Sequence, residues 1–394
     1  MGIASESSSS PVAPNERAAI AADAVLDRHL RRMLGVPGTN MAVIAWPISG
    51  IIRSRVGMWH YWWHAHLVDL LVDAAIHRPP GERTFDPDVA NTTNRLLRSI
   101  RLRNLGRWTN SYYDDMAWLG LSIERANRHL HLKREKPQRI LAERMYDSWA
   151  PDDGGGIPWR TIDQFFNAPA NGPASILLAR NGQVDRAIEM ADWMDRELID
   201  SATNLVIDGI KPKGKGEFER VTPIFTYCQG VVLGVETELA RLTGDSVHID
   251  RIERLLGAVE VHEAPDGIIR GQGGGDGGLF MGVLARYLAL IATDLPGTDP
   301  RIVDLRRRAA HIVTTSADAA WTNRIPSDKG PIFGADWREP ATAPHVGGKK
   351  AQFVGGAVFS SEVPERDLSV QLSAWMVLEA AAAIELDLPE HPIR

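Results

Sequence analysis

Two neighbouring aspartates, Asp114 and Asp115, stand in the run Tyr112-Tyr113-Asp114-Asp115-Met116-Ala117-Trp118, with paired tyrosines before them and a tryptophan after. Apolar residues then recur at Met116, Leu119, Ile123, Ala126 and Leu130, the spacing of a helix with one buried face. The two carboxyls therefore belong to the mouth of a helix rather than its side. Two acids among aromatic rings suit the cleavage of a bond between sugars, in which one carboxyl protonates the leaving oxygen and the other attacks or stabilises. Close acids also resist ionising together, so their proton affinities are expected to split into one acid and one carboxylate. The competing reading is helix capping. Ser111-x-x-Asp114 is a loose capping box, and Asp115 would be favoured near the positive end of the helix dipole. Capping, however, needs neither two consecutive acids nor Tyr112, Tyr113 and Trp118 crowded around them.

Other side chains could line the same site. Trp59, Trp62, Trp63, His64 and His66 cluster on one early helix, and an indole face receives the axial C–H groups of a sugar ring. Trp63 and His66 are the candidates there, against an equal reading as core. Tyr113 is a third, beside the acids. Trp159 follows three glycines, which would let a backbone pass close to a ligand. Asn167 and Asn171 sit in a Pro-containing loop, where a turn role competes with hydrogen bonding to sugar hydroxyls. Tyr227 and Gln229 open an apolar helix. Asp276 lies in a run of glycines before another, either as its N-cap or as a partner for a sugar hydroxyl. His60 and His64 are four apart, but no Glu follows in the His-Glu-x-x-His manner, so no metal or cofactor is expected. Gly209 to Gly216 nearly spells a phosphate-binding loop, but Gly216 replaces the Ser or Thr that would hold magnesium. The glycines from Gly271 to Gly278 have no βαβ unit around them and are no dinucleotide fingerprint.

Helical periodicity supplies the frame for these residues, and sustained strand alternation is absent. About twelve helices are predicted, near 15–35, 57–78, 87–105, 114–130, 135–149, 171–180, 183–200, 226–242, 246–261, 277–293, 300–317 and 367–386. Those near 183–200, 246–261 and 300–317 are amphipathic, whereas those near 226–242, 277–293 and 367–386 are apolar nearly all round and have to be buried. Outer amphipathic helices alternating with inner apolar ones predict an all-α fold, an (α/α)6 barrel of two concentric shells. The long connections at 37–52, 201–223, 263–278 and 322–366 would wall a cleft at one end. The chain shows no linker, so residues 15–390 are read as a single catalytic domain behind a disordered polar tail at 1–14.

The net charge of −6 and the dispersed Lys and Arg argue against nucleic acid or an anionic membrane as main partner. Cys228 is the only cysteine, which excludes an intramolecular disulfide and a multi-cysteine zinc site. No apolar run approaches the roughly 18 residues of a membrane span. The first residues lack the basic and apolar regions of a secretory signal, which leads to a cytoplasmic expectation.

The double-Asp run resembles the motif of glycoside hydrolase family 76, the endo-α-1,6-mannanases. Further stretches agree in order: Gly155-Gly-Ile-Pro-Trp159, Asn167-Ala-Pro-Ala-Asn171-Gly-Pro173, Thr226-Tyr-Cys-Gln-Gly230, Asp276-Gly-Gly-Leu-Phe280 and Asp367-Leu-Ser-Val-Gln-Leu-Ser-Ala-Trp375, the last similar to actinobacterial members. The resemblance covers residues from about 57 to 386. It implies an (α/α)6 barrel that hydrolyses α-1,6-linked mannan or manno-oligosaccharides with retention, Asp114 as nucleophile and Asp115 as general acid/base. Cys228 departs from it, standing where better-known members carry Asn, and a lost hydrogen bond there would alter subsite preference. The absent signal segment is a second departure, since many members act outside the cell. Three other readings compete. An all-α isoprenoid synthase needs Asp-Asp-x-x-Asp, and Trp118 occupies the fifth position. A sugar epimerase on the same barrel type would centre histidines in the cleft. A barrel that binds mannan without cutting it shares every motif, but does not need intact Asp114 and Asp115.

Overall fold

A computed structural model describes residues 12–48, 59–77, 88–151, 154–214 and 216–387. Residues 1–11 of the expected polar tail and Asp153 of the glycine run lie outside them. Among the described residues twelve α-helices follow one another: α1 (Pro14–His29), α2 (Tyr61–Ile76), α3 (Val89–Arg103), α4 (Tyr113–Leu130), α5 (Glu135–Tyr146), α6 (Ala168–Arg180), α7 (Val184–Leu198), α8 (Thr226–Thr243), α9 (Ser246–His262), α10 (Gly277–Asp294), α11 (Pro300–Thr322) and α12 (Leu368–Leu386).

The even-numbered helices pack side by side in a closed ring, α2 on α4 and so on round to α12 on α2, and each odd-numbered helix packs outside a neighbour. This is the (α/α)6 barrel. The two shells follow from composition. Along α12 every residue from Leu368 to Ala382 is buried, whereas α7 buries only a stripe of Ala187, Met190, Ala191, Trp193, Met194 and Leu198. The apolar inner helices α10 and α12 are long and apolar enough to cross a membrane, against the expectation that no run reaches that length; both are mostly buried in the ring. Close approach within the ring is set by small residues. A Cβ on Gly230 of α8 would lie 2.8 Å from the Cα of Leu284 on α10, and one on Gly282 of α10 would lie 2.8 Å from the Cα of Ser373 on α12.

Short strands accompany the helices and correct one expected loop. Strands β1 (Leu30–Arg31) and β2 (Met41–Ala42) pair, as do β6 (Gln352–Val354) and β7 (Ala357–Phe359), while β3 (Phe166–Asn167), β4 (Ile207–Gly214) and β5 (Glu217–Ile224) form a three-stranded sheet. The stretch 201–223, expected as a loop, is largely the β4–β5 hairpin. Its strands are mostly polar and exposed beyond Ile210, which hides the alternation.

Each inner helix returns through an outer one, so all six inner helices run in the same direction. Their carboxyl ends gather at one pole, where ion pairs tie the ring. Arg125 of α4 and Arg286 of α10 each bridge Asp69 and Asp73 of α2 at 2.5–2.8 Å. Arg180 of α6 meets Glu238 of α8 at 2.5 Å. Burial raises the proton affinity of Asp69 and Asp73, but Arg125 and Arg286 outweigh it and hold both carboxyls below the usual range.

The ring's tight contacts give a direct test. Gly230→Ala and Gly282→Ala should each destabilise by roughly 1–3 kcal/mol, because backbone rather than a movable side chain stands in the way. Gly257→Ala in α9, where the new methyl would meet only the end of Arg308 at 3.6 Å, should instead stabilise by up to about 1 kcal/mol. Thermal melts of the three variants distinguish these signs.

Candidate active site

The amino ends of the inner helices gather at the other pole, around a cavity of about 630 Å³. Asp114 and Asp115, in the first turn of α4, both line it. The helix is not capped by a side chain: its N-cap is Tyr112, which makes no side-chain cap bond. The Asp114 carboxyl is instead held through Oδ2, which accepts the Trp159 indole N–H at 3.0 Å. Its Oδ1 is buried without a hydrogen-bond partner among the described residues. Asp115 Oδ2 accepts from the Asn110 amide at 2.7 Å, and that amide is oriented by its own Oδ1, which accepts the Tyr112 backbone N–H at 2.8 Å.

Burial dominates the electrostatics. It pushes Asp114 from 3.8 up to about 7, against the pull of the Trp159 hydrogen bond, with the Asp276 carboxyl adding to the rise. Asp115 is driven well above its ordinary value, first by burial and then by the charge of Asp114, with Asn110 opposing. Burial thus raises both proton affinities, and the charge of Asp114 adds to the rise at Asp115.

Aromatic rings wall the cavity. Tyr227, at the start of α8, stacks on Phe280 of α10 with ring centres 3.9 Å apart and planes within 5°. Trp62 of α2 lies beside both at 6.4 and 6.2 Å. The β6–β7 hairpin forms a strap across the mouth. It leaves the chain just before α12, yet its turn at Gly356 meets Trp159, which precedes α6 on the opposite side of the ring. A Cβ on Gly356 would lie 2.5 Å from that indole, and the residue holds φ at +105°, so glycine is required twice over. Phe353 and Val358 of the strap line the cavity.

Of the residues singled out in the sequence, Asp114, Asp115, Trp159, Asn167, Tyr227 and Asp276 come together on the cavity wall. Asn167 also caps α6, accepting the Ala170 N–H at 3.2 Å. Five others stand behind the wall. Trp63 is fully buried, and its indole donates to Asp276 Oδ1 at 2.9 Å. The His66 ring is packed 4.6 Å from that of Trp118, and burial holds it neutral with a pKa lowered to about 3. Tyr113 is buried under the Arg144 guanidinium. The Asn171 amide is spent on the backbone of Ile157 and Asn167 at 2.7–2.8 Å. Gln229 likewise bonds the backbone of Val206 and Phe225 at 2.7–3.0 Å.

Asp276 also departs from expectation although it lines the cavity. Its Oδ1 accepts both the Trp62 and Trp63 indoles at 2.9 Å, and its Oδ2 accepts the Val358 N–H at 2.6 Å, so its carboxyl braces the strap rather than standing free for a hydroxyl. It makes no side-chain cap bond to α10. Gly155 and Gly156 pass close to the Trp193 ring rather than a ligand, and Cys228 is fully buried and faces the core. Both nitrogens of His64 are taken up by backbone carbonyls of His60 and Ala42.

Three contributors escaped the sequence reading, Asn110, the strap and Asp208, and in the early aromatic cluster Trp62 rather than Trp63 lines the cavity. Asp208 reaches the cavity from β4, its carboxyl raised to about 6 by burial against the nearby Lys211. Asn110 could have been found as a short amide just ahead of the two acids.

The model of Glycosyl hydrolase family 76 matches residues 16–371. No curated protein matches the chain. Among solved structures, the GH76A alpha-1,6-mannanase from Salegentibacter sp. HEL1_6 is 26% identical, with a TM-score of 0.76 over 94% of this chain and 100% of that one. An inactive variant of that enzyme, two consecutive aspartates changed to asparagine, is in complex with alpha-1,6-mannotriose; it is 25% identical, with a TM-score of 0.76 over the same shares. Dfg5 from Chaetomium thermophilum, in complex with glucosamine, shares the fold at 16% identity and a TM-score of 0.67, over 97% of this chain and 95% of that one.

Two predictions follow from the buried pair. Between 3.8 and about 7 the folded chain holds a proton on Asp114 that the unfolded chain releases, so stability falls as pH rises through that window. Asp114→Asn removes the penalty and should raise Tm above neutral pH while leaving it unchanged in acid, as pH-resolved melts would register. Trp159→Phe removes the one donor on Oδ2 and should raise the Asp114 pKa further; the acidic limb of the activity profile would then move upward, and an unmoved limb would contradict the assignment.

Proposed function

We propose that this chain, which belongs to glycosyl hydrolase family 76, cleaves α-1,6-linked mannan within the polymer and with retention of anomeric configuration. Membership makes it a glycoside hydrolase. The linkage, the internal point of attack and the stereochemistry are the proposal. It is carried by the state of Asp114: one carboxylate oxygen is anchored on the Trp159 indole, and the other is unpartnered in the cavity. An oxygen with a free lone pair, fixed through its twin, suits attack on an anomeric carbon.

In the first step Asp114 Oδ1 forms a bond to the anomeric carbon as the glycosidic bond breaks, and Asp115 gives its proton to the departing oxygen. Burial and the neighbouring Asp114 charge raise the proton affinity of Asp115, which favours its acid form. Once Asp114 is esterified its charge is gone, and one of the two main causes of the raised Asp115 affinity goes with it. Asp115, now ionised and stabilised by the Asn110 amide, then takes a proton from the water that attacks the same carbon. Hydrolysis of the ester regenerates both acids. The stacked Tyr227 and Phe280, with Trp62, suit the apolar faces of mannose rings. The Salegentibacter enzyme's complex with alpha-1,6-mannotriose supports the choice of linkage.

Digestion of linear α-1,6-mannan should give a ladder of short oligosaccharides, with α-1,2 and α-1,3 mannosides left intact and the newly formed ends initially α by NMR. A barrel that only binds would release nothing. Asp114→Asn and Asp115→Asn should each abolish hydrolysis, and an activated glycoside with a good leaving group should restore the first step only in the Asp115 variant, which lacks just proton donation. The kcat/KM profile should have an acidic limb that falls through about 7, where Asp114 protonates.

A further inference from the structure

Outside the cleft, the most unusual surface of the molecule borders it. From residue 28 to 68, and again from 89 to 113, the chain carries no Asp or Glu, yet the two segments hold ten arginines in a chain of net charge −6. Folding brings their described parts together. Asn40 N–H donates to the Ser99 hydroxyl at 3.0 Å, and the Arg98 guanidinium reaches the Gly38 carbonyl at 3.4 Å. Arg32, Arg98, Arg101 and Arg107 are all exposed there. Basic residues that read as dispersed along the sequence are thus gathered on one side of the catalytic rim.

Apolar side chains stand among them. Leu102 lies one turn beyond Arg98 on α3 and is 52% exposed; Val36 is 45% exposed. Leu34 and Leu105 are 48% and 89% exposed, and both hold positive φ, at 51° and 53°. Stability alone selects Gly or Asn in that backbone conformation and a polar group at that exposure. Leucine fails on both counts at both positions. Leu105 follows Asn104, which lines the cavity with Trp59, and the loop that carries Leu34 meets α3 at Arg98 and Ser99. The Arg103 guanidinium lies 6.0 Å from the Trp59 ring.

We propose that this sector docks the protein on an anionic lipid surface, the arginines meeting headgroups and Leu34, Val36, Leu102 and Leu105 entering the headgroup boundary. Charge complementarity selects the sign of the surface, and the exposed leucines select a bilayer over a soluble polyanion, which would gain nothing from them. The strap on the cavity's edge adds exposed Phe353, Val354 and Phe359 to the same rim. Docked in this way, the cleft opens beside the membrane.

The full chain should co-sediment with vesicles of phosphatidylcholine and phosphatidylglycerol, less so as salt is raised, and not with phosphatidylcholine alone. Arg98→Gln with Arg101→Gln should lower the partition coefficient about fivefold per arginine removed. Leu34→Asn with Leu105→Asn keeps every charge and suits the backbone, yet should also release the protein from vesicles, with Tm and hydrolysis of a soluble substrate preserved. Failure to bind anionic vesicles at low salt overturns the proposal. So does equal binding to neutral vesicles. Binding that the arginine pair abolishes but the leucine pair leaves untouched also overturns it, and would mark a site for a soluble polyanion such as an acidic glycan. Vesicle binding needs neither sugar nor hydrolysis, so its failure would leave the mannanase reading standing.

Discussion

Six helices laid in one direction must collect their amino ends at one pole and their carboxyl ends at the other, and nearly everything else in this barrel follows from that. The amino pole presents unsatisfied backbone N–H groups and the positive ends of the helix dipoles, a setting that favours carboxylates. Asp114 and Asp115 lie there, yet both are pushed upward in proton affinity. The magnitudes decide the matter. A helix end is worth about 0.3–1 kcal/mol to a nearby charge, whereas a rise from 3.8 to about 7 corresponds to a penalty on the order of 4 kcal/mol. Desolvation wins, and the helix end does not hold either carboxyl below its ordinary value.

The carboxyl pole runs the opposite experiment with the same residue type. Asp69 and Asp73 are more deeply buried than the pair at the mouth, but each meets two guanidinium groups, and their proton affinity falls. Asp114 and Asp115 meet only neutral donors, an indole and an amide. Fully compensated, an acid pair is a strut that joins α2 to α4 and α10. Left short of positive charge, such a pair is pushed the other way. The rigid lock at one end and the strained pair at the other are complementary uses of one ring.

The ring was legible in the sequence because its logic is periodic: apolar all round for an inner helix, one stripe for an outer one. The acid pair was legible because two carboxyls among aromatics have few cheaper explanations. What failed was the choice of face on inner helices. Trp63, His66 and Gln229 belong to helices buried on every side, so periodicity cannot tell the cleft from the core behind it. Tyr113 stands beside Asp114, and Asn171 one turn from Asn167, which does reach the cavity. The β4–β5 hairpin and the strap were hidden for another reason: their strands are short, and the contacts that define them are distant in sequence. Asp276 illustrates the limit well. Its neighbourhood of glycines suggested a ligand or a cap, and its partners turned out to be two indoles more than two hundred residues away and the backbone of the strap.

Those distant partners explain why the double-Asp run alone could not make a site. Each acid is connected to the strap by its own chain of contacts. Asp114 Oδ2 accepts from Trp159, whose ring lies against Gly356. Asp115 is approached by the backbone of Trp62, whose indole donates to Asp276, which in turn exchanges hydrogen bonds with Val358 in both directions. One short hairpin therefore sits at the end of both chains and spans the mouth between them. The helix supplies two neighbouring carboxyls, but their unequal surroundings come from the first turn of α2 and from the loops before α4, α6, α10 and α12. A sequence motif places the acids, and the closure of the whole ring makes them different from each other.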